Sequence, residues 1–70
     1  MDSIAEFQEV ERECLKRFRA KAAEIQAADP QMAPQIAFAK AVEALPKTAD
    51  KYQYARQRLQ FMGVPALPLR

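Results

Sequence analysis

The sequence predicts an all-α protein, a small three-helix bundle with an extended, proline-containing C-terminal tail. Three observations predict it. Fourteen of the 70 residues are alanine, the strongest helix former. The five prolines and the single glycine fall where they divide the chain into uninterrupted stretches instead of interrupting them. Apolar residues recur at intervals of three and four, with no strand-like alternation and no internal repeat. The length allows one domain, residues 1–70.

Each element has start and stop signals. Ser3 followed by Glu6 is a capping box, so helix 1 is predicted over residues 3–28, ending before Asp29-Pro30, because the residue before a proline is driven out of the α region. Pro30 and Pro34 bracket a short turn. Helix 2 is predicted over 34–45, with Pro34 in the first turn, where its missing N–H costs nothing, and Pro46 beyond its end. Helix 3 is predicted over 48–62, capped by Thr48, with Asp50 in the positive first turn and Gly63 as the left-handed C-terminal residue. The tail spans 63–70. Its Val64-Pro65-Ala66-Leu67-Pro68-Leu69-Arg70 segment reads either as a polyproline II ligand or, the favoured reading, as a tail whose Val64, Leu67 and Leu69 fold back over the bundle.

On a helical wheel, Ile4, Phe7, Cys14, Leu15, Phe18, Ala22 and Ile25 share one stripe of helix 1, which marks a core-facing helix. Cys14 on this stripe reads as a small buried hydrophobe. Glu11 lies near the stripe's centre. A buried carboxylate needs a cationic partner, so Glu11 either meets an Arg or Lys of another helix or marks where the stripe faces solvent or a partner. In helix 2, Phe38, Ala41, Val42 and Leu45 form the stripe and Ile36 falls opposite. Helix 3 carries two stripes, Tyr52, Ala55, Leu59 and Met62, and then Tyr54, Arg58 and Phe61. Either helix 3 is the central helix, or its Tyr54/Phe61 side docks something; aromatics flanking an arginine have the composition of a binding hot spot.

Composition removes whole classes of function. With no histidine and one cysteine, the chain supports no intrachain disulfide, no zinc set and no Ser-His or Cys-His pair, and one glycine makes no phosphate loop. The expectation is a protein that is not an enzyme, with no catalytic or metal-binding residues, no cofactor and no small-molecule substrate. The acidic N-terminus is unlike a secretory signal, and the longest uncharged stretch, Leu59 to Leu69, is too short and too broken by proline to span a bilayer. A lone thiol fits a reducing compartment, so a cytoplasmic location is expected.

Charge is segregated although the net is only +2. Residues 2–13 carry a net of −4, residues 14–23 of +4, residues 24–43 of −2 and residues 44–70 of +4. Acids before bases along helix 1 complement its dipole, and Glu13 with Arg17 is a favourable i, i+4 pair. The order of a proline-started helix with Ala41-Val42-Glu43, then Pro46, then Arg56-Gln57-Arg58-Leu59 is similar to part of the small theta subunit of bacterial replicative polymerase, over about residues 34–59. That resemblance implies a partner-binding accessory role and assigns no residue.

Two functions fit these features. The first is a small accessory, adaptor or inhibitor-type protein that binds another protein, or itself, through helix faces, with Tyr54, Arg58, Phe61, Glu11 and Ile36 as candidate contacts. The alternative is a small nucleic-acid-binding regulator using basic helix 3, with the C-terminal basic set Lys47, Lys51, Arg56 and Arg58 as candidate contacts.

Overall fold

The computed structural model describes residues 3–65 and contains three helices: α1 (Ile4–Ala28), α2 (Pro34–Ala44) and α3 (Pro46–Phe61). The helices pack on one another as a small all-α three-helix bundle.

Local chemistry sets the ends. The Glu6 N–H donates to Ser3 Oγ at 3.2 Å, and the serine hydroxyl reaches the Glu6 carboxylate at 3.5 Å, so the box is closed through side chains. At the other end of α1 the Asp29 N–H donates to the Ile25 and Gln26 carbonyls, both at 3.2 Å, before Pro30 stops propagation. The turn is fastened by Gln26, whose side-chain amide donates to the Met32 carbonyl at 3.0 Å.

Two boundaries differ from expectation. Leu45 (φ −125, ψ 66) is at once the C-cap of α2 and the N-cap of α3, and Pro46 starts α3 two residues before Thr48. Thr48 is therefore inside the helix and caps nothing, and Asp50 falls outside the first turn. The cause lies in Pro46 itself. Its ring keeps Leu45 out of the α conformation, while its own fixed φ suits a first helical position that needs no N–H. At the far end Gly63 takes φ +79, as its place after the helix requires. The Gly63 N–H donates to the Gln60 carbonyl at 3.0 Å and the Val64 N–H to the Leu59 carbonyl at 2.9 Å, the hydrogen-bond pair of a Schellman motif. Its hydrophobic contact is present too, since Val64 packs against the cluster of Leu59, Phe7 and Ala55. The remainder of the expected tail, with Leu67 and Leu69, lies outside the described residues.

The central helix is α1, not α3. At 25 residues it is about 37 Å long and accounts for most of the longest dimension of a molecule measuring 42 × 20 × 14 Å. Both other helices pack against it, and they meet each other far less. Phe38 of α2 and Tyr52 of α3 meet Phe18 edge to face at 5.8 and 5.9 Å, while Ala55 and Leu59 of α3 and then Val64 lie against Phe7. So α3 runs antiparallel to α1. Ala37, Ala41 and Ala55 are fully buried, and a side chain of one methyl lets backbones come together. Ala37 thus joins the expected α2 stripe. Ile4 and Met62, placed on core stripes by their spacing, are 42% and 41% exposed, because they lie at the open ends of α1 and α3.

Candidate protein-binding face

The fold divides the candidate residues into three groups. Glu11 and Arg56 form the first. The Glu11 carboxylate is fully buried and its Oε2 accepts from Arg56 at 2.7 Å; Arg56 also donates to the Val64 carbonyl at 3.1 Å. This corrects two expectations. Glu11 is no partner contact, because its charge is spent inside the core, and Arg56 is not available to phosphate, because it is the cation that Glu11 requires. The pair ties α1 to α3 and to the cap beyond it. Glu11 Oε1 has no hydrogen-bond partner, so the ion pair is less than fully satisfied, which offsets part of its contribution to net stability while the pair still fixes the register of α3 against α1. Beside it, burial and the Glu11 charge push the Tyr52 hydroxyl above its ordinary pKa, opposed by Arg56.

Ile36 forms the second group alone. It is 52% exposed on α2, opposite the buried Ala37 and Ala41 face and outside the groove between α1 and α3.

The third group is brought together by the fold. Along one edge of α3, Lys47, Lys51, Tyr54, Arg58 and Phe61 recur at intervals of four, three, four and three, so all five lie on one side of the helix. Facing Lys47, Lys51 and Tyr54 across an open groove of about 790 Å³ is an edge of α1 with the same spacing, Glu6, Val10, Glu13 and Arg17, while Arg58 and Phe61 continue the α3 row beyond the groove. The groove floor is apolar, built from Phe7, Cys14 and Ala55. The Tyr54 ring meets Phe7 edge to face at 6.0 Å, and the Arg58 guanidinium lies 5.9 Å from the centre of the same Phe7 ring. Phe61, one turn further, is 91% exposed. So Tyr54, Arg58 and Phe61 are indeed on one face, and Lys47 and Lys51, expected under the nucleic-acid reading, extend that same face. Val10, 37% exposed on the opposite wall, completes its apolar part. Glu6 and Glu13 of that wall are absent from the expected contacts; the signal that marks them is their spacing with Val10 and Arg17, which repeats the intervals of the α3 edge.

The electrostatics are two-sided. The α1 wall carries Glu6, Glu9 and Glu13, with Arg17 at its far end, and the α3 wall carries Lys47 and Lys51, with Arg58 next in the row beyond the groove. Glu13 and Arg17, whose spacing favours pairing, form no ion pair with each other; the pairs that do form include Arg12–Glu9 at 2.8 Å and the buried Arg56–Glu11. Cys14 reaches the groove floor but is 3% exposed, and burial pushes its thiol above the ordinary value against the pull of Lys51 and Arg17, so it is an inert apolar group. Among the described residues no cluster of three His, Cys, Asp or Glu side chains is placed to hold a metal, and no helix is long and apolar enough to cross a membrane.

No family model, no curated protein and no solved structure matches this chain.

Proposed function

We propose that this chain is a small non-enzymatic accessory or inhibitor-type protein of the cytoplasm that works by contact, docking another protein or a second copy of itself on the α1–α3 face. The observation that carries the reading is Phe61, 91% exposed beside Tyr54 and Arg58 at the end of an apolar groove. A large aromatic left in water at the end of a helix, continuous with a half-exposed tyrosine and an arginine, gains by being covered, and aromatic and arginine side chains are the ones that dominate binding energy at interfaces. The groove is a half-open concavity on the surface, which suits a helix or a helix pair better than an enclosed small molecule.

The nucleic-acid reading has less support. Arg56 is engaged in the core, and the remaining cations face a wall that carries Glu6 and Glu13, which repel phosphate.

The test is affinity capture from the native host with three baits: wild type, Phe61→Asp and Ile36→Asp. The expected result is a set of captured proteins, or of the chain's own copies, that Phe61→Asp loses and Ile36→Asp retains. Equal capture by all three baits, or by none with no self-association, overturns the reading.

A further inference from the structure

The charge on the two walls of the groove restricts what can cover it. From Glu6 to Glu13 the α1 wall is acidic and the α3 edge beside it is basic, with the same heptad-like spacing: Glu6, Val10 and Glu13 on α1, and Lys51, Tyr54 and, beyond the groove's lining, Arg58 on α3. Because α3 runs antiparallel to α1, Glu13 lies across the groove from Lys51, and Glu6 is toward the end where Arg58 covers Phe7. A surface built in this way is complementary to itself.

We propose that the α1–α3 face is the interface of a homodimer, a second copy of this chain being its occupant, related by a two-fold axis parallel to the helices; this rests on the face being a protein-binding one. The direction of the axis follows from the charges. An isologous interface pairs each patch with itself under the symmetry operation. A two-fold perpendicular to the helices lays α3 on α3 and brings the Lys47, Lys51 and Arg58 row against its own copy. A two-fold parallel to the helices instead lays α1 of each chain on α3 of the other. Glu13 then faces Lys51, Val10 faces Tyr54, and Glu6 faces Arg58, each contact occurring twice, while each Phe61 is covered at the partner copy's α1 start. The result is a four-helix layer packing in which heptad-spaced edges interlock at a shallow angle.

Only the far end opposes it: Arg17 falls near Lys47 of the other copy, so the contact is confined to the part of the groove from Glu6 to Glu13. On α3 that part runs from Lys51 to Phe61, about 15 Å at the helical rise, and is two helices wide, below the area of a standard specific interface and in the range of weak, transient ones. The dimer is accordingly weak and concentration-dependent, with monomer prevailing in dilute solution.

Sedimentation equilibrium tests it, over a series from roughly 5 to 500 µM. The wild-type mass is expected to rise from 8.0 kDa toward twice that value. Glu13→Lys and Lys51→Glu, both at exposed positions, each place like charges opposite one another and are expected to stay monomeric with unchanged helical circular dichroism. Mixed in equal amounts, the two variants are expected to dimerise again. In the mixed dimer the lysine introduced on one chain meets the glutamate introduced on the other, and the unaltered Lys51 of the first meets the unaltered Glu13 of the second. A mixture that stays monomeric while the wild type dimerises overturns the proposed arrangement. A wild type that remains at 8.0 kDa throughout overturns the dimer but leaves the broader reading to the capture experiment, and a dimer indifferent to Phe61→Ser removes the face from both.

Discussion

The two aromatic clusters along α1 are built from the same parts and end differently. Near the middle of the helix, Phe18 is met edge to face by Phe38 from α2 and Tyr52 from α3 and is 1% exposed. Near its start, Phe7 is met by Tyr54 and covered by Arg58, with Val64 behind, yet Tyr54 stays 55% exposed and Phe61 almost wholly so. The composition of the two clusters is alike; the number of helices converging on them is not. Where α2 and α3 both reach α1, Phe18 is enclosed and its partners Phe38 and Tyr52 are half-buried. Where α3 alone lies beside it, one flank of the aromatic cluster stays in water. The exposed aromatic surface is thus a consequence of arrangement: Tyr54 and Phe61 lie where α3 alone covers this end of α1.

The largest expected effect tests the enclosed end. Phe18→Ala should cost about 3–5 kcal/mol, which equals the whole net stability of a domain this size, so urea titration should find the chain largely unfolded already without denaturant. Phe7→Ala should cost visibly less, because its partners keep part of their exposure; equal losses would erase the distinction between the two ends.

Glu11→Ala, which leaves Arg56 without its partner, should destabilise by about 3 kcal/mol, whereas Glu11→Leu combined with Arg56→Leu should recover most of that loss or exceed the wild type. Chemical denaturation of the single and double variants decides it. A double variant as weak as the single one would mean that the pair is a stabilising contact and not a register device.

A smaller loss is expected at the C-terminal cap. Gly63→Ala forces an L side chain into φ +79 although no atom lies within 4 Å of the added methyl, so the cost is conformational, about 1–2 kcal/mol. A thermal melt should show it as a lower midpoint, and an unchanged midpoint would mean that the Schellman turn is not held in solution.

The smallest effect on stability belongs to the open end. Phe61→Ser should change the unfolding free energy by no more than about 0.5 kcal/mol while removing association or capture. A large loss of stability instead would show that Phe61 is covered within its own chain and that the two ends differ less than their exposure indicates.

Much of this was legible before any contact was known. Ser3 with Glu6, Asp29-Pro30 and Gly63 announce helix ends through chemistry that acts within a few residues. Thr48 misled because a good capping side chain lies two residues past a proline that starts the helix just as well and does so first. The Tyr54, Arg58 and Phe61 stripe was visible from spacing alone. The row of Glu6, Val10 and Glu13 on α1 is equally a matter of spacing, but nothing local says that the two rows face each other. That Arg56 and Arg58 point to different sides follows from helical angle. Which of the two arginines enters the core does not, because that depends on Glu11, 45 residues away, and on the side of α1 that α3 takes.

The sequence by itself determined the three helices, their order and the apolar and charged stripes each one presents, since caps, prolines and 3.6-residue periodicity are local physics. Tertiary structure decided which stripes are buried: that α1 is central, that Glu11 and Arg56 are consumed in the core, and that Tyr54 is left on an open groove with Phe61 exposed beyond it. A stripe specifies that a helix has something to cover, and only the convergence of particular helices at particular heights along α1 decides whether it is covered from within.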